Sequence, residues 1–308
     1  MPEYILRRTF VLMPVFFVVS LVIFLITHLV PGDPIDNLLQ VGSSPEMKAK
    51  LIAEYGLDRP LHEQYLLWLG RLLTGDLGEA IILKRPVFDL ILQNLPYSLT
   101  LGAAALAFST AFGIIVGALA ATFPGTKVDE GAMGFILLGS TVPSFWLGLL
   151  LILFFAVMLG WFPVSGARGW SSLVLPVLTV GLGGIALTAR VTRVAMLETA
   201  QKDFVFLLHA KGVPHRSIQV RHILRHAMIP VITIVGLRIG WIIGGSVTVE
   251  YVFARPGLGT LLIRSLNQRD YPVVQGSLLM LAMAVMLGTL LADILHAAID
   301  PRVRERAR

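Results

Sequence analysis

The sequence contains no cysteine, so disulfides, thiolate metal sites and thiol nucleophiles are excluded. Charge is also scarce: 14% of the 308 residues are Asp, Glu, Lys or Arg, against roughly 25% in soluble domains. A soluble fold of this length needs a charged exterior, and this chain has too little charge to make one. The 56% hydrophobic composition and the mean hydropathy of +0.78 instead indicate a protein surrounded by lipid.

Several chemical motifs are missing too. The sequence has no G-x-x-x-x-G-K-[ST] loop to hold nucleotide phosphates. His215, His222 and His226 share one basic segment without an accompanying carboxylate or cysteine, which argues against a metal site. The net charge of +6 comes from basic residues dispersed among apolar runs, so no nucleic-acid partner is expected. We therefore expect no catalytic, cofactor-binding or metal-binding residue, and an intramembrane enzyme is disfavoured because no nucleophile–base pair stands inside a run.

Six apolar runs approach the length needed to cross a hydrocarbon core roughly 30 Å thick as helices. They cover residues 9–30, 97–123, 133–161, 173–189, 229–253 and 278–299. Backbone groups in lipid must bond internally, and the runs do not alternate, so helices are favoured over a barrel. We predict an all-α integral membrane protein with about six transmembrane helices, an extracytoplasmic helical segment after the first and a cytoplasmic loop between the fourth and fifth. Residues 1–95 would form the first helix and the outer segment, and 96–308 a five-helix core.

Basic residues predict the orientation. Seven of the 25 Lys and Arg lie between Arg190 and Arg225, and four more lie in the tail from Arg302, whereas the two short outer loops hold four together. Cytoplasmic loops carry the excess of Lys and Arg. Both termini are therefore expected in the cytoplasm, with the chain in the bacterial plasma (inner) membrane as a multi-pass protein.

The outer segment, residues 31–95, has helical patterning rather than linker composition. Ser44 and Pro45 suit the start of one helix, and Gly56 suits its end. A second helix should start at Pro60 and have an apolar side formed by Tyr65, Trp68, Leu69 and Leu72. Such a segment either packs on the bundle as a cap or docks an external partner, and the two roles are compatible.

The inner stretch 190–229 is long, basic and patterned. Residues 202–211 indicate a short helix stopped by Gly212, which favours the left-handed conformation that ends helices. Pro214 suits the first turn of a second helix, and Pro230 marks the start of the fifth run. Two short helices joined by a Gly-Pro elbow predict a compact projection on the inner face.

This stretch also carries a family resemblance. His209-Ala210-Lys211-Gly212, followed at a fixed gap by Arg221-His222, Arg225 and Ile229-Pro230, resembles the inner loop of binding-protein-dependent ABC permeases. The match is closest to the dipeptide, oligopeptide, nickel and glutathione importer branch. Further motifs of that branch are matched in order and spacing at residues 31–34, 55–60, 75–78, 256–259 and 269–275. The resemblance therefore covers nearly the whole chain.

The resemblance implies a function and a set of partners. Two permease subunits, in this branch usually different chains, would form the pathway, and two ATP-binding subunits holding ATP and Mg would drive it. An extracytoplasmic solute-binding protein would deliver di- or oligopeptides or a related small solute, which crosses by alternating access. Selectivity among peptide, glutathione and nickel is not encoded in any one of these motifs.

In this family the short inner helix docks in a cleft of the ATPase. The resemblance thus assigns ATPase coupling to Phe206, Leu207, His209, Ala210, Lys211, Gly212, Arg221 and Arg225. Relatives usually carry polar or basic residues just before Ala-Lys-Gly, whereas this chain has the apolar run 204–208. Either the receiving cleft is correspondingly apolar, or these side chains lie against the membrane surface.

Residues inside the runs supply pathway candidates, because burying an ionisable group in lipid is costly without a functional reason. The candidates for pathway or gate are Arg238, Gly244, Gly245, Ser246 and Thr248. Glycines also recur every four residues at 236, 240 and 244, a spacing typical of close helix packing. Asp293 and His296 share one helix face and are expected to contact a neighbouring helix rather than a solute.

A self-contained, ion-coupled secondary transporter is the alternative. Such folds show paired repeats and broken helices with ion sites at the bilayer midplane, and the sequence shows no convincing internal duplication. Uptake that collapses with the proton gradient but resists ATP depletion would favour this alternative.

Overall fold

The computed structural model describes residues 2–29 and 58–299, which are helical apart from connecting turns and one isolated bridge between Glu79 and Pro86. The helices are α1 (Pro2–Leu29), α2 (Leu61–Leu73), α3 (Val87–Thr122), α4 (Lys127–Thr141), α5 (Ser144–Leu151), α6 (Ser171–Ala200), α7 (Asp203–Ala210), α8 (Leu224–Gly245), α9 (Val247–Val252), α10 (Leu258–Asn267) and α11 (Tyr271–Ile299). A π-helical segment, Ile152–Met158, extends α5, and a helical turn (His215–Ser217) followed by a second π-helical segment, Ile218–Ile223, leads into α8.

The number of spans agrees with the sequence. Five helices of the described ranges are long and apolar enough to cross a membrane, and there are six if α4 and α5 form one broken span. The predicted all-helical membrane protein is thereby confirmed.

The third span departs from the prediction of one continuous helix over 133–161. α4 ends at Thr141, α5 begins at Ser144, and the two parts are bent by 102°. Pro143 explains the break, because proline lacks the N–H that a helix needs and drives the preceding residue out of the helical region. Val142 is indeed extended, with φ −78° and ψ 126°.

The other spans are longer than their apolar runs. α3 begins ten residues before residue 97, α6 continues to Ala200 instead of ending at 189, and α11 begins at Tyr271 instead of 278. An apolar run marks only the part inside hydrocarbon, whereas the helix continues into the interface to keep its backbone bonded. The predicted boundary at Pro230 is wrong for a related reason: Pro230 lies inside α8, and the π-helical segment before it is an adjustment that membrane helices tolerate.

Four long helices form the centre of the bundle. α3 packs along α6, α8 packs along α11, and α8 also contacts both α6 and α3, while α1 lies against α11 on the outside. The predicted close packing through glycine is confirmed at Gly240, where an added Cβ would lie 2.7 Å from the carbonyl oxygen of Val285 in α11. Helices α8 and α11 therefore meet backbone to backbone.

The N-terminal helix is tied to its neighbours by polar contacts. Arg8 forms an ion pair with Asp293 of α11, which confirms that Asp293 contacts a neighbouring helix. The side chain of His296 lies outside the described residues. Near the other end of α1, the amide of Gln275 donates to Thr27 Oγ1 at 2.8 Å. Because α1 and α11 are joined near both ends, α1 is fixed as an outer support of the bundle.

The outer segment is described only in part. The predicted first outer helix, with Ser44, Pro45 and Gly56, lies outside the described residues. The predicted second helix is confirmed as α2, which follows Pro60. Its apolar side contacts α1, where the rings of Tyr65 and Trp68 lie 5.5 Å and 5.9 Å from that of Phe24.

Candidate functional site

The short helix α7 ends in the geometry that its sequence predicts. Gly212 has φ +74°, the left-handed conformation that glycine adopts without the strain imposed by a Cβ. Its N–H donates to the carbonyl of His209 at 2.9 Å, and the N–H of Val213 donates to the carbonyl of Leu208 at 3.1 Å. These two bonds form a Schellman motif. The chain therefore turns sharply and rigidly between α7 and the helical turn that begins at His215.

One side of α7 is fixed to the bundle. Val205 is 3% exposed and belongs to a buried apolar cluster with residues of α3, α6, the second π-helical segment and α8: Ala121, Ala195, Met196, Ile218, Ile223 and Ala227. Phe204 extends this contact, because its ring lies 5.0 Å from that of His226. A displacement of α7 is therefore transmitted to the adjoining ends of α3, α6 and α8.

The other side of α7 is bare. Phe206 is 76% exposed and Leu207 is 57% exposed. Large apolar side chains rarely stand out together from an anchored helix unless they contact a partner or lipid. All eight residues assigned to coupling are exposed, including Lys211, Arg221 and Arg225. Phe206 and Leu207 thus form an exposed apolar projection. Exposed cationic side chains lie near it, and the opposite side of α7 is fixed to the bundle.

The five pathway candidates are not brought onto one face. Gly244 and Thr248 are exposed, and Gly245 is half-buried. Ser246 is fully buried, and its hydroxyl donates to Glu250 Oε1 at 3.1 Å. Ser246 therefore supports the break between α8 and α9 within the chain.

Arg238 reaches from α8 into the centre of the bundle. Its Nη1 donates to the carbonyl oxygen of Gly184 at 2.9 Å and contacts the hydroxyls of Ser109 and Thr188, each at 3.4 Å. An added Cβ at residue 184 would overlap the guanidinium, so a larger residue than Gly184 would require the end of the Arg238 side chain to shift. Arg238 thus joins α8 to α3 and α6 through neutral acceptors.

Comparison with known proteins assigns the family. A family model described as "Binding-protein-dependent transport system inner membrane component" matches residues 113–305, and the N-terminal model of the same transport systems matches residues 1–102. The chain belongs to this permease family. It is 38% identical to the glutathione transport system permease protein GsiC of Escherichia coli strain K12 over 308 residues, with 99% of each chain covered. It is 37% identical to the di/tripeptide transport system permease protein DppB of Pseudomonas aeruginosa strain UCBPP-PA14, with 99% of this chain and 100% of that protein covered.

Solved structures share the fold of the permease. An inward-facing MetNI methionine ABC transporter matches with a TM-score of 0.56 at 19% identity, over 69% of this chain and 97% of that one. An amino acid ABC transporter with histidines matches with a TM-score of 0.52 at 17% identity, over 70% and 94%. The family models and the two full-length relatives confirm the resemblance to the importer family, and the secondary-transporter alternative is not favoured.

Beside the inner loop, the permease has an ion pair that sequence reasoning missed. Arg193 of α6 donates two hydrogen bonds to the carboxylate of Asp129 of α4, from Nε to Oδ1 at 2.7 Å and from Nη2 to Oδ2 at 2.6 Å. The N–H of Gly125 also donates to this carboxylate at 3.0 Å. The pair fixes the start of α4 to the inner part of α6, the helix that leads into α7. No local pattern links residues 64 positions apart, so the sequence carried no signal for it.

Two buried carboxylates organise the end of the bundle that lies away from α7. Glu250 is fully buried and accepts the N–H of Gly259 at 2.8 Å, which caps the start of α10. Asp270 is 2% exposed and accepts the N–H groups of Ile81 and Ile82 at 3.1 Å and 3.0 Å. Two stretches that carry the family resemblance thus make connections here. Residues 256–259 join the start of α10 to α9, and residues 269–275 join the start of α11 to residues 81 and 82.

A buried arginine lies between these two carboxylates in sequence. Arg255 follows α9, is 5% exposed, and places its guanidinium 5.9 Å from the ring of Tyr97. Burial lowers the pKa of this guanidinium. The aromatic face offsets part of the cost of burying the cation, so the contact holds the loop after α9 against α3.

Proposed function

We propose that this permease forms half of the translocation pathway of an ATP-driven importer and that α7 is its contact with a separate ATPase. The observation that carries the proposal is the exposed pair Phe206 and Leu207 on a helix whose opposite side is buried in the bundle. A rigid, apolar projection fits a cleft on another protein, because burying such side chains supplies binding energy while the anchored side transmits displacement.

The partners follow from the family and from what the sequence lacks. Two ATP-binding subunits, each holding ATP and Mg, would close on nucleotide and pull on the inner loops of two permeases. The second permease is expected to be a different chain, and an extracytoplasmic binding protein would deliver solute. With both termini in the cytoplasm, α7 faces the ATPases, and residues 31–95 face the binding protein.

The mechanism is alternating access. Closure of the ATPases opens the pathway outward, and hydrolysis returns it inward. Arg238, Gly244, Gly245 and Thr248 are our candidates for pathway residues, while buried Ser246 steadies the segment between α8 and α9. The solute is a di- or tripeptide or glutathione, the solutes in the names of relatives 37–38% identical over their full length.

Of the two positions considered for residues 204–208, we propose contact with the ATPase rather than with the membrane surface. Phe204 and Val205 face inward, whereas Phe206 and Leu207 project from the opposite side. We propose that the receiving ATPase cleft is apolar and that ATPases of related systems with polar clefts exchange poorly with this one.

Co-purification in mild detergent tests the proposal. The permease, expressed with its neighbouring genes, should carry two ATPase copies and a second permease, identified by mass spectrometry. Reconstituted into liposomes, the complex should take up solute only with ATP and the binding protein. Uptake by the isolated chain, or uptake that follows a proton gradient without ATP, would refute it.

A further inference from the structure

Arg238 lies near the middle of the bilayer. Its main acceptor, the carbonyl of Gly184, lies about 20 Å from the start of α6 and about 24 Å from its end, at 1.5 Å per residue. Its second contact, Ser109, lies about 20 Å from the inner end of α3 by the same measure. Both helices therefore place the guanidinium deep inside a hydrocarbon core roughly 30 Å thick.

No anion of the described residues neutralises this cation. Its three acceptors are one carbonyl and two hydroxyls, all bound to the single nitrogen Nη1. Two acids of the neighbouring spans are engaged elsewhere, Asp129 by Arg193 and Asp293 by Arg8. Asp89 and Glu198 stand at the ends of α3 and α6, far from the bilayer centre. The acidic residues within 30–57 and 300–308 belong to sequence segments outside the apolar runs.

A second arginine of the same chain shows what the unused edge can bind. Arg193 holds the carboxylate of Asp129 with its Nε and Nη2, the planar fork that matches two carboxylate oxygens. In Arg238 the same two nitrogens have no acceptor among the described residues, while Nη1 fixes the plane of the group. The guanidinium is therefore oriented, and its carboxylate-binding edge is left unoccupied.

The side chain of Arg238 is accessible in part. Arg238 is only partly buried, and its neighbour Leu237 is 56% exposed. A charge at the centre of a membrane helix is expected to face a partner or a pathway, since lipid offers it no stabilisation. The side of α8 that carries Arg238 is therefore not fully covered within this chain.

We propose that the Nε–Nη2 edge of Arg238 binds a carboxylate of the transported solute as it crosses the bilayer centre. This inference rests on the proposed function, because it takes α8 to line the pathway. It adds a chemical requirement that the binding protein alone does not impose: solutes with a free carboxylate pass this point better than the same solutes with the group blocked. A carboxylate supplied by the second permease is the rival occupant.

Equilibrium binding to the whole complex without its binding protein tests the site. The complex in lipid nanodiscs is titrated with radiolabelled dialanine and glutathione, each compared with its blocked form, the C-terminal amide or the diethyl ester. Wild type should bind at least one free acid about ten-fold more tightly than its blocked form, the order of discrimination that one charge-assisted pair supplies. Arg238→Gln should abolish the preference, and Arg238→Lys should keep part of it, since an ammonium has charge but no fork.

The control keeps the cation and removes a neighbouring contact. Thr192→Val deletes a buried hydroxyl one turn further along α6, which donates to the carbonyl of Thr188, and should leave the preference for the free acid unchanged. Equal binding of acid and blocked form by wild type, absence of saturable binding of both acids, or an unchanged preference in Arg238→Gln would each overturn the inference. Separation of the two permeases in Arg238→Gln with the preference intact would also overturn it, because the counter-ion would then belong to the partner.

A parallel measurement separates this site from the proposed function. ATP hydrolysis stimulated by the binding protein is measured in the wild-type complex, where the importer proposal predicts a clear increase over the rate without the binding protein. If wild type shows no such stimulation, the importer proposal fails whatever the complex binds. If stimulation is normal but the acid preference is missing, only the carboxylate site fails.

Discussion

Replacing Phe206 by Ala tests the docking role of α7 with little disturbance of the permease itself. Phe206 is 76% exposed, so its removal takes almost no contact from the fold. Burying a whole Phe side chain contributes about 1.5–3 kcal/mol. An interface that covers the exposed three-quarters should therefore lose about 2 kcal/mol, which weakens ATPase binding roughly 30-fold.

Phe204 provides a matched control two residues earlier on the same helix. Its ring packs against His226 and the buried cluster around Val205. Phe204→Ala should open a cavity and destabilise the permease by about 2–3 kcal/mol, less than most core Phe→Ala changes (about 3–5 kcal/mol) because Phe204 is only partly buried. The two variants thus separate loss of an interface from loss of the fold.

The assay measures both quantities for both variants. Affinity for the purified ATPase is read by surface plasmon resonance on the permease pair in nanodiscs, and the melting temperature by a fluorescence shift of the permease pair alone. Phe206→Ala should lower affinity and leave melting unchanged, whereas Phe204→Ala should lower melting. Full affinity in Phe206→Ala would refute the reasoning, because the exposed ring would then contribute nothing to ATPase binding.

Three further predictions concern the inner loop and the outer end. Gly212→Leu should cost about 1–2 kcal/mol, because leucine must adopt the left-handed conformation, and it should reduce uptake per ATP hydrolysed in an assembled complex. Gly212→Asn should stay coupled, because asparagine tolerates that conformation. Normal coupling in the Leu variant would contradict this prediction. Asp129→Asn should destabilise the permease by about 1–3 kcal/mol, measured by thermal unfolding. Adding Arg193→Gln to the same chain should cost little more. If the two destabilisations were fully additive, the ion pair would not be contributing. Asp270→Asn should weaken the acceptor for two outer-loop amides and raise hydrogen exchange at residues 81–82, where unchanged exchange would show that the contact is dispensable.

The fold was largely predictable because hydrophobic length is a direct physical requirement of the bilayer. Runs of about 20 apolar residues located the spans, and Gly212 with Pro214 located the elbow of the inner loop. The ends of α3, α6 and α11 were not predictable, since polar turns beyond the hydrocarbon core remain helical. The bend at Pro143 carried a local signal, a proline inside the run, that outweighed apolar continuity.

The surface of α7 was predictable in composition but not in orientation. The sequence showed an apolar run over 204–208, yet which side chains face the bundle depends on the cluster formed with α3, α6 and α8. The ion pair of Arg193 and the hydrogen bonds accepted by Glu250 and Asp270 could not be predicted, for the same reason. Each joins segments that are close only after folding, so neither periodicity nor spacing reveals them.

Cross-linking from position 206 tests the central claim most directly. The chain has no native cysteine, so Phe206→Cys carries the only thiol of this subunit and can hold a photoactivatable maleimide. In inverted membrane vesicles containing the whole transporter, illumination should join the permease to its ATPase, and the yield should change when ATP is added. Labelling of the introduced thiol by a membrane-impermeant maleimide from the outer side, or cross-links to every neighbour except the ATPase, would contradict the account.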